Sequence, residues 1–179
     1  MFCTNVCFPI ALLDLVLRCD EADLHRVVWT EDLLRELEDV WVREGARTKE
    51  SARSISDLIR SGFPDGEIVR EQYNDLVEAM SGPDPDDHVH AAAAASVAPS
   101  VLLTANLVDF PGEDLTPRRV RVEHPDDYFT TLLDLHPEEV RQIIEEMSGH
   151  RRRPPMTRDE VVAALERAGL SAFAEAVLR

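Results

Sequence analysis

Three aspartates, Asp84, Asp86 and Asp87, stand just before the alanine-rich run "HAAAAAS", and the apolar segment "VLLTANLVDF" beyond it carries Thr104, Asn106 and Asp109. A right-handed step from helix to strand can bring a helix mouth and a strand end to one edge of a sheet, setting Asp87 close to Asn106 and Asp109. Carboxylates packed together repel, and each resists ionisation unless a cation neutralises the group. Oxygen ligands at a wet sheet edge suit Mg²⁺, with Mn²⁺ as the alternative ion. The plain alternative is that Asp84 to Asp87 only cap a helix, where the dipole favours aspartate; the two roles are compatible. A further acid, Glu36, lies between Leu33/Leu34 and Leu37/Val40, at the edge of an apolar stripe. That flank suits a functional carboxylate better than the positions of Glu38 and Asp39. His88 and His90 follow Asp87 closely; they read as helix-surface imidazoles, with metal ligation the minority reading.

Short elements must position these groups. The run "FCTNVCF" predicts a buried strand ended by Pro9. Leu12, Leu13, Val16 and Leu17 then recur at helical spacing, and "RVVW" reads as a short strand or extended lead-in. Thr30 is an N-cap for a helix whose stripe is Leu33, Leu34, Leu37, Val40 and Trp41, and Thr48 caps a second running through Ile55, Leu58 and Ile59. A short strand is expected near Ile68 and Val69, a helical turn over 74–80, a helix over 84–97, a strand at 101–104 and another in "RVRVEH". This alternation predicts an α/β fold with a mostly parallel sheet, in which ligands collect at the carboxyl ends of the strands. Beyond Pro125 four amphipathic units predict a helical C-terminal part, with "GHRRRPPM" as a turn or linker.

The bulk composition sets the frame. A chain of 179 residues, 44% hydrophobic, fits one ordinary domain with a small appendage and can bury a core. The formal charge of -16, from 35 acidic against 19 basic residues, repels nucleic acid at long range and suits a basic protein partner. It does not exclude a nuclease, because a bound metal inverts the local field. Cys3, Cys7 and Cys19 make an odd set without paired spacing, which argues against a disulfide framework and for buried thiols in a reducing cytoplasm. The run "VCFPIALLDLVL" lacks a basic leader and is interrupted by Asp14, and no segment is long enough to span a bilayer, so no membrane partner is expected.

Four pieces, in order, carry a resemblance: "TNV" at 4–6, "WTEDLLREL" at 29–37, "DPDDHVHAAAA" at 84–94 and "LLTANLVDFP" at 102–111. The sequence resembles the PIN-domain family, especially the ribonuclease toxins of the virulence-associated toxin C type. One branch of that family carries a helical C-terminal extension like the remainder of this chain. The resemblance implies a three-layer α/β/α domain over residues 1–129 and a helical extension over 130–179. It implies cytoplasmic cleavage of RNA with Mg²⁺ (or Mn²⁺) held by acids: Glu36, Asp87, and Asn106 or Asp109 at the last acidic position. Thr104 would orient a water or phosphate oxygen, and Asn5 would brace the first-strand turn. The implied partners are a cognate antitoxin, an RNA substrate and a second copy of the chain in a homodimer. In the family an aspartate immediately precedes the "TN" step, where this sequence has Cys3. A thiol is a poor ligand for Mg²⁺ and a thiolate prefers softer metals. Three explanations stand: an inactive natural variant, a chain inactivated so that a toxin can be produced, and a shifted metal preference.

RNA also requires cations. Arg43, Arg47, Lys49, Arg53 and Arg60 gather after Glu36, Arg118, Arg119 and Arg121 approach the last strand, and Arg151 to Arg153 lie in the linker. Solvated faces are the commoner reading of such groups. Two rivals accompany the nuclease reading: a catalytically silent module that binds an antitoxin or other protein, favoured by Cys3, and a metal-free protein whose acids only cap helices.

Overall fold

Side-chain caps start the two helices that follow Trp29. The Thr30 hydroxyl accepts the Leu33 amide at 3.1 Å, and the Thr48 hydroxyl accepts that of Ser51 at 3.2 Å, both as the sequence predicts. The computed structural model describes residues 4–149 and 156–179. Among them the helices are, in chain order, α1 (Thr4–Cys7), α2 (Ile10–Glu21), α3 (Glu31–Arg43), α4 (Lys49–Gly62), α5 (Asn74–Val77), α6 (His88–Ser96), α7 (Gly112–Leu115), α8 (Pro125–Leu135), α9 (Pro137–Ser148), α10 (Arg158–Arg167) and α11 (Ser171–Val177). Two strands, β1 (Ser100–Leu103) and β2 (Val120–Glu123), pair in parallel with Ser100 opposite Val120 and Leu103 opposite Glu123. The chain groups into two compact units. One is Met1–Phe8 with Val27–Glu123, the other Pro9–Arg26 with His124–Arg179.

In the first unit the sheet is smaller than predicted. "RVVW" and the segment near Ile68 meet only at a parallel bridge between Trp29 and Glu67, where the Trp29 amide donates to Gly66 at 2.9 Å and the Ile68 amide to Trp29 at 2.8 Å. Neither segment has room for a longer ladder. Thr30 caps α3 at once, and a 3₁₀ turn at Arg70–Gln72 follows Val69. The predicted N-terminal strand is also corrected: residues 4–7 form the helical turn α1, and residues 1–3 lie outside the described residues. A short apolar run cannot distinguish strand from helix by periodicity. The class is thus mostly helical, with a small parallel sheet.

The core that supports the acids centres on α6. Ala91, Ala92, Ala93 and Ala94 are buried with Tyr73, Met80, Leu102, Phe110 and Leu115. Alanine side chains let α6 approach β1 and α5 closely, which fixes the helix whose mouth bears Asp87. On α4 the buried face is Ala52, Ser56 and Ile59, whereas Leu58, expected in the stripe, is 68% exposed.

Among the described residues the second unit contains helices and no strand. The four helices expected beyond Pro125 form, and α2 packs with α9 and α10. Leu12, Leu13, Leu15, Val16 and Cys19 of α2 are buried, and burial pushes the Cys19 thiol up to about 12. Asp126 reaches across to start α11, its carboxylate accepting the Phe173 amide at 2.8 Å and the Ala172 amide at 3.0 Å. Among the described residues no helix is long and apolar enough to cross a membrane.

Candidate functional site

The capping role expected of the aspartate cluster falls to Asp84, whose carboxylate accepts the Asp86 amide at 3.0 Å as the chain turns through Pro85–Asp87. Asp87 precedes α6 yet makes no side-chain cap hydrogen bond. Its carboxyl is pushed up to about 6, first by burial and then by the fields of Asp109, Asp84 and Glu36, with His90 opposing them. Residues far apart in sequence, Glu36, Asp84 and Asp109, thus lie near enough for their fields to act on the Asp87 carboxyl.

Each of these neighbours is held. Glu36 sits on α3 above the buried Leu33, Leu34 and Leu37, and its side chain is 47% exposed. Its Oε2 meets His90 Nε2 at 2.8 Å. The Asn106 carboxamide donates to Asp109 Oδ2, placing these two groups side by side in the turn Leu107–Asp109. Thr104 is fully buried at the end of β1, where its Oγ1 accepts Asn5 Nδ2 at 3.1 Å and the Asn106 amide at 3.1 Å. Asn5 Oδ1 in turn accepts the Ala105 amide at 3.1 Å. Asn5 and Thr104 thus lock the start of the loop that carries Asn106 and Asp109. Cys3 lies outside the described residues.

One glycine sets the two acidic loops together. A Cβ on Gly82 would stand 2.4 Å from the carbonyl oxygen of Asp109. His88 Nε2 donates to the Gly82 carbonyl at 2.8 Å, and Ser81 Oγ donates to Asp114 at 2.7 Å, tying the same loop down.

An open groove of about 750 Å³ runs past this cluster, lined by Asn5, Phe8, Glu36, Val40, Arg43, Glu44, Asp84, Asp86 and Asp87. Of the cations expected after Glu36, Arg43 reaches it, its Nε donating to the neighbouring Glu44 at 3.3 Å. Arg60 is instead engaged with Glu31 (2.8 and 2.9 Å) and Asp57 (2.9 Å), and the Arg47 guanidinium lies over the Trp41 ring. Arg121 pairs with Glu123, and Arg151 to Arg153 lie outside the described residues. His90, expected on a helix surface, is 1% exposed.

The donor set of Glu36, Asp87, Asp109 and Asn106 is all hard oxygen, and a divalent cation would offset both the burial and the like-charge fields that hold the Asp87 carboxyl up. In kind, these side chains fit Mg²⁺. Among the described residues no three His, Cys, Asp or Glu side chains form a group that could hold a metal ion.

Comparison with known proteins gives two matches. A family model described as "VapC50 C-terminal domain" matches residues 125–179. A Mycobacterium tuberculosis protein named "Putative ribonuclease VapC50" is 34% identical over 125 residues, covering 70% of each chain. No solved structure matches significantly.

Proposed function

The chain belongs to the VapC-type PIN toxin family with a C-terminal extension, and from that premise we propose that it is a Mg²⁺-dependent endoribonuclease, the toxin of a toxin–antitoxin pair. Mn²⁺ is the alternative ion. The observation that supports the reading is that the half-buried Asp87 carboxyl, beside an open groove that Glu36 also lines, feels the fields of Glu36 and Asp109. Glu36, Asp87, Asp109 and Asn106 would hold the ion. When bound, it supplies Lewis-acid stabilisation of charge developing on phosphoryl oxygen. The residues do the rest. Asn5 and Thr104 keep the Asn106–Asp109 loop in place, and Arg43 on the groove wall offers a cation to an RNA phosphate. The exposed Leu107 and Val108, beside Asp109, give an antitoxin segment apolar surface to bury next to the acids. The same reading includes the three-layer PIN domain over 1–129, the extension over 130–179, a homodimer and a cytoplasmic location.

Cleavage of a structured RNA panel tests it. Hydrolysis is expected with Mg²⁺ or Mn²⁺, lost on chelation, and reduced more than about 100-fold in Asp87→Asn. Cleavage that survives chelation or Asp87→Asn overturns the reading. Cys3 favours a second one, a silent module that keeps the antitoxin surface without cutting. Restoration of cleavage by Cys3→Asp would assign the silence to that residue alone; no cleavage even then leaves the binding module as the better account.

A further inference from the structure

We infer that His90 is a positioning residue that aims the Glu36 carboxylate into the groove. The inference rests on the metal-site reading of Glu36 given above. His90 is 1% exposed within α6, among alanines that are buried with it, so its ring cannot swing to solvent. Its Nε2 lies 2.8 Å from Glu36 Oε2. An ionised carboxylate only accepts hydrogen bonds, so Nε2 carries the proton and donates. Its Nδ1 is buried without a hydrogen-bond partner, so Glu36 is the hydrogen-bond partner that orients the ring. Glu36 itself is half exposed and lines the groove. One helix therefore sets two acids: Asp87 directly, at its mouth, and Glu36 from the neighbouring α3 through an imidazole one turn further on. Partners of this kind, hydrogen-bonded behind a ligating carboxylate, fix its orientation and sharpen metal affinity.

The test is Mn²⁺ affinity by calorimetric titration of the full chain and of His90→Leu, His90→Gln and Glu36→Gln, with circular dichroism to verify folding. Gln places a donor near the position of Nε2, whereas Leu fills the space without one. His90→Leu is expected to weaken Mn²⁺ binding roughly 10–100-fold and His90→Gln only a few-fold. In a Glu36→Gln background, His90→Leu should have no further effect on affinity. The inference is overturned if Leu and Gln weaken binding equally, or if the Leu effect persists undiminished without the Glu36 carboxylate. A wild-type chain that binds no Mn²⁺ overturns the metal-site reading and this inference with it. Tight binding that ignores His90 overturns the inference alone. RNA cleavage, if followed in parallel, should fall in the same rank order.

Discussion

Replacing Gly82 with alanine should loosen the acidic site by pushing its two loops apart. The added Cβ would lie 2.4 Å from the Asp109 carbonyl oxygen, with Asp109 C and Pro111 Cδ at 3.6 Å. Real Cβ atoms essentially never approach within 3.0 Å, so the backbones must separate by at least 0.6 Å, and by 1.0 Å to reach ordinary contact at 3.4 Å. The obstacle is backbone, so no side chain can move aside. Overpacking of this kind costs about 1–3 kcal/mol. For a chain of this size that lowers Tm by roughly 2–12 °C. A displacement near 1 Å at the Asp109 loop should also reduce RNA cleavage by about 100-fold. Differential scanning calorimetry and a cleavage assay measure the two effects. Gly66→Ala is the matched control. Its Cβ would meet the Val27 carbonyl oxygen at the same 2.4 Å, but beside the Trp29–Glu67 bridge, so it should cost stability without a comparable effect on Mn²⁺ affinity. Gly62→Ala meets nothing within 4 Å and should not lower Tm. An unchanged Tm in Gly82→Ala would refute the close-approach argument, and equal loss of Mn²⁺ affinity in Gly66→Ala would refute its link to the acids.

Two other expectations concern stability. Hydrogen bonds from Arg60 hold the Glu31 carboxyl below its usual range, so the pair stabilises the fold above pH 4.5 and loses its effect as pH falls through the lowered value. With Glu31 37% and Arg60 29% exposed, Arg60→Ala should cost about 0.5–1 kcal/mol at pH 7 and less at pH 3 by urea unfolding; equal losses at both would count against the pairing. Asp126→Ala removes the carboxylate that receives two amides of α11 and should cost roughly 0.5–2 kcal/mol, read from thermal unfolding, with Asp126→Asn recovering part of it.

The local structure around the candidate site was legible because its signals are local. Thr30 and Thr48 cap their helices as hydroxyls before apolar stripes do, and the strand after the alanine helix follows from its β-branched and aliphatic run. The helix-to-strand step raised the expectation that Asp87 lies near Asn106 and Asp109, whereas Glu36 joined the set only through the resemblance. His90 was misplaced because the alanine run that follows it has no polar face from which to read direction. Arg60 read as a free cation because its partner Glu31 belongs to another helix. Gly82 gave no sign at all, since its role depends on which distant carbonyl passes beside it. The small sheet has the same origin: turns and caps at Thr30 and Arg70–Gln72 cut short segments whose composition suited longer strands.

The interleaving of the second unit bears on how the protein is made. Its helix α2, carrying Leu12, Leu13, Leu15 and Val16, leaves the ribosome more than a hundred residues before its packing partners α9 and α10. Until then a strongly apolar surface waits without its native cover, a situation that favours chaperone capture or self-association. For the same reason residues 124–179 are not a detachable tail: cutting after Glu123 would strand α2 beside a void it was shaped to fill.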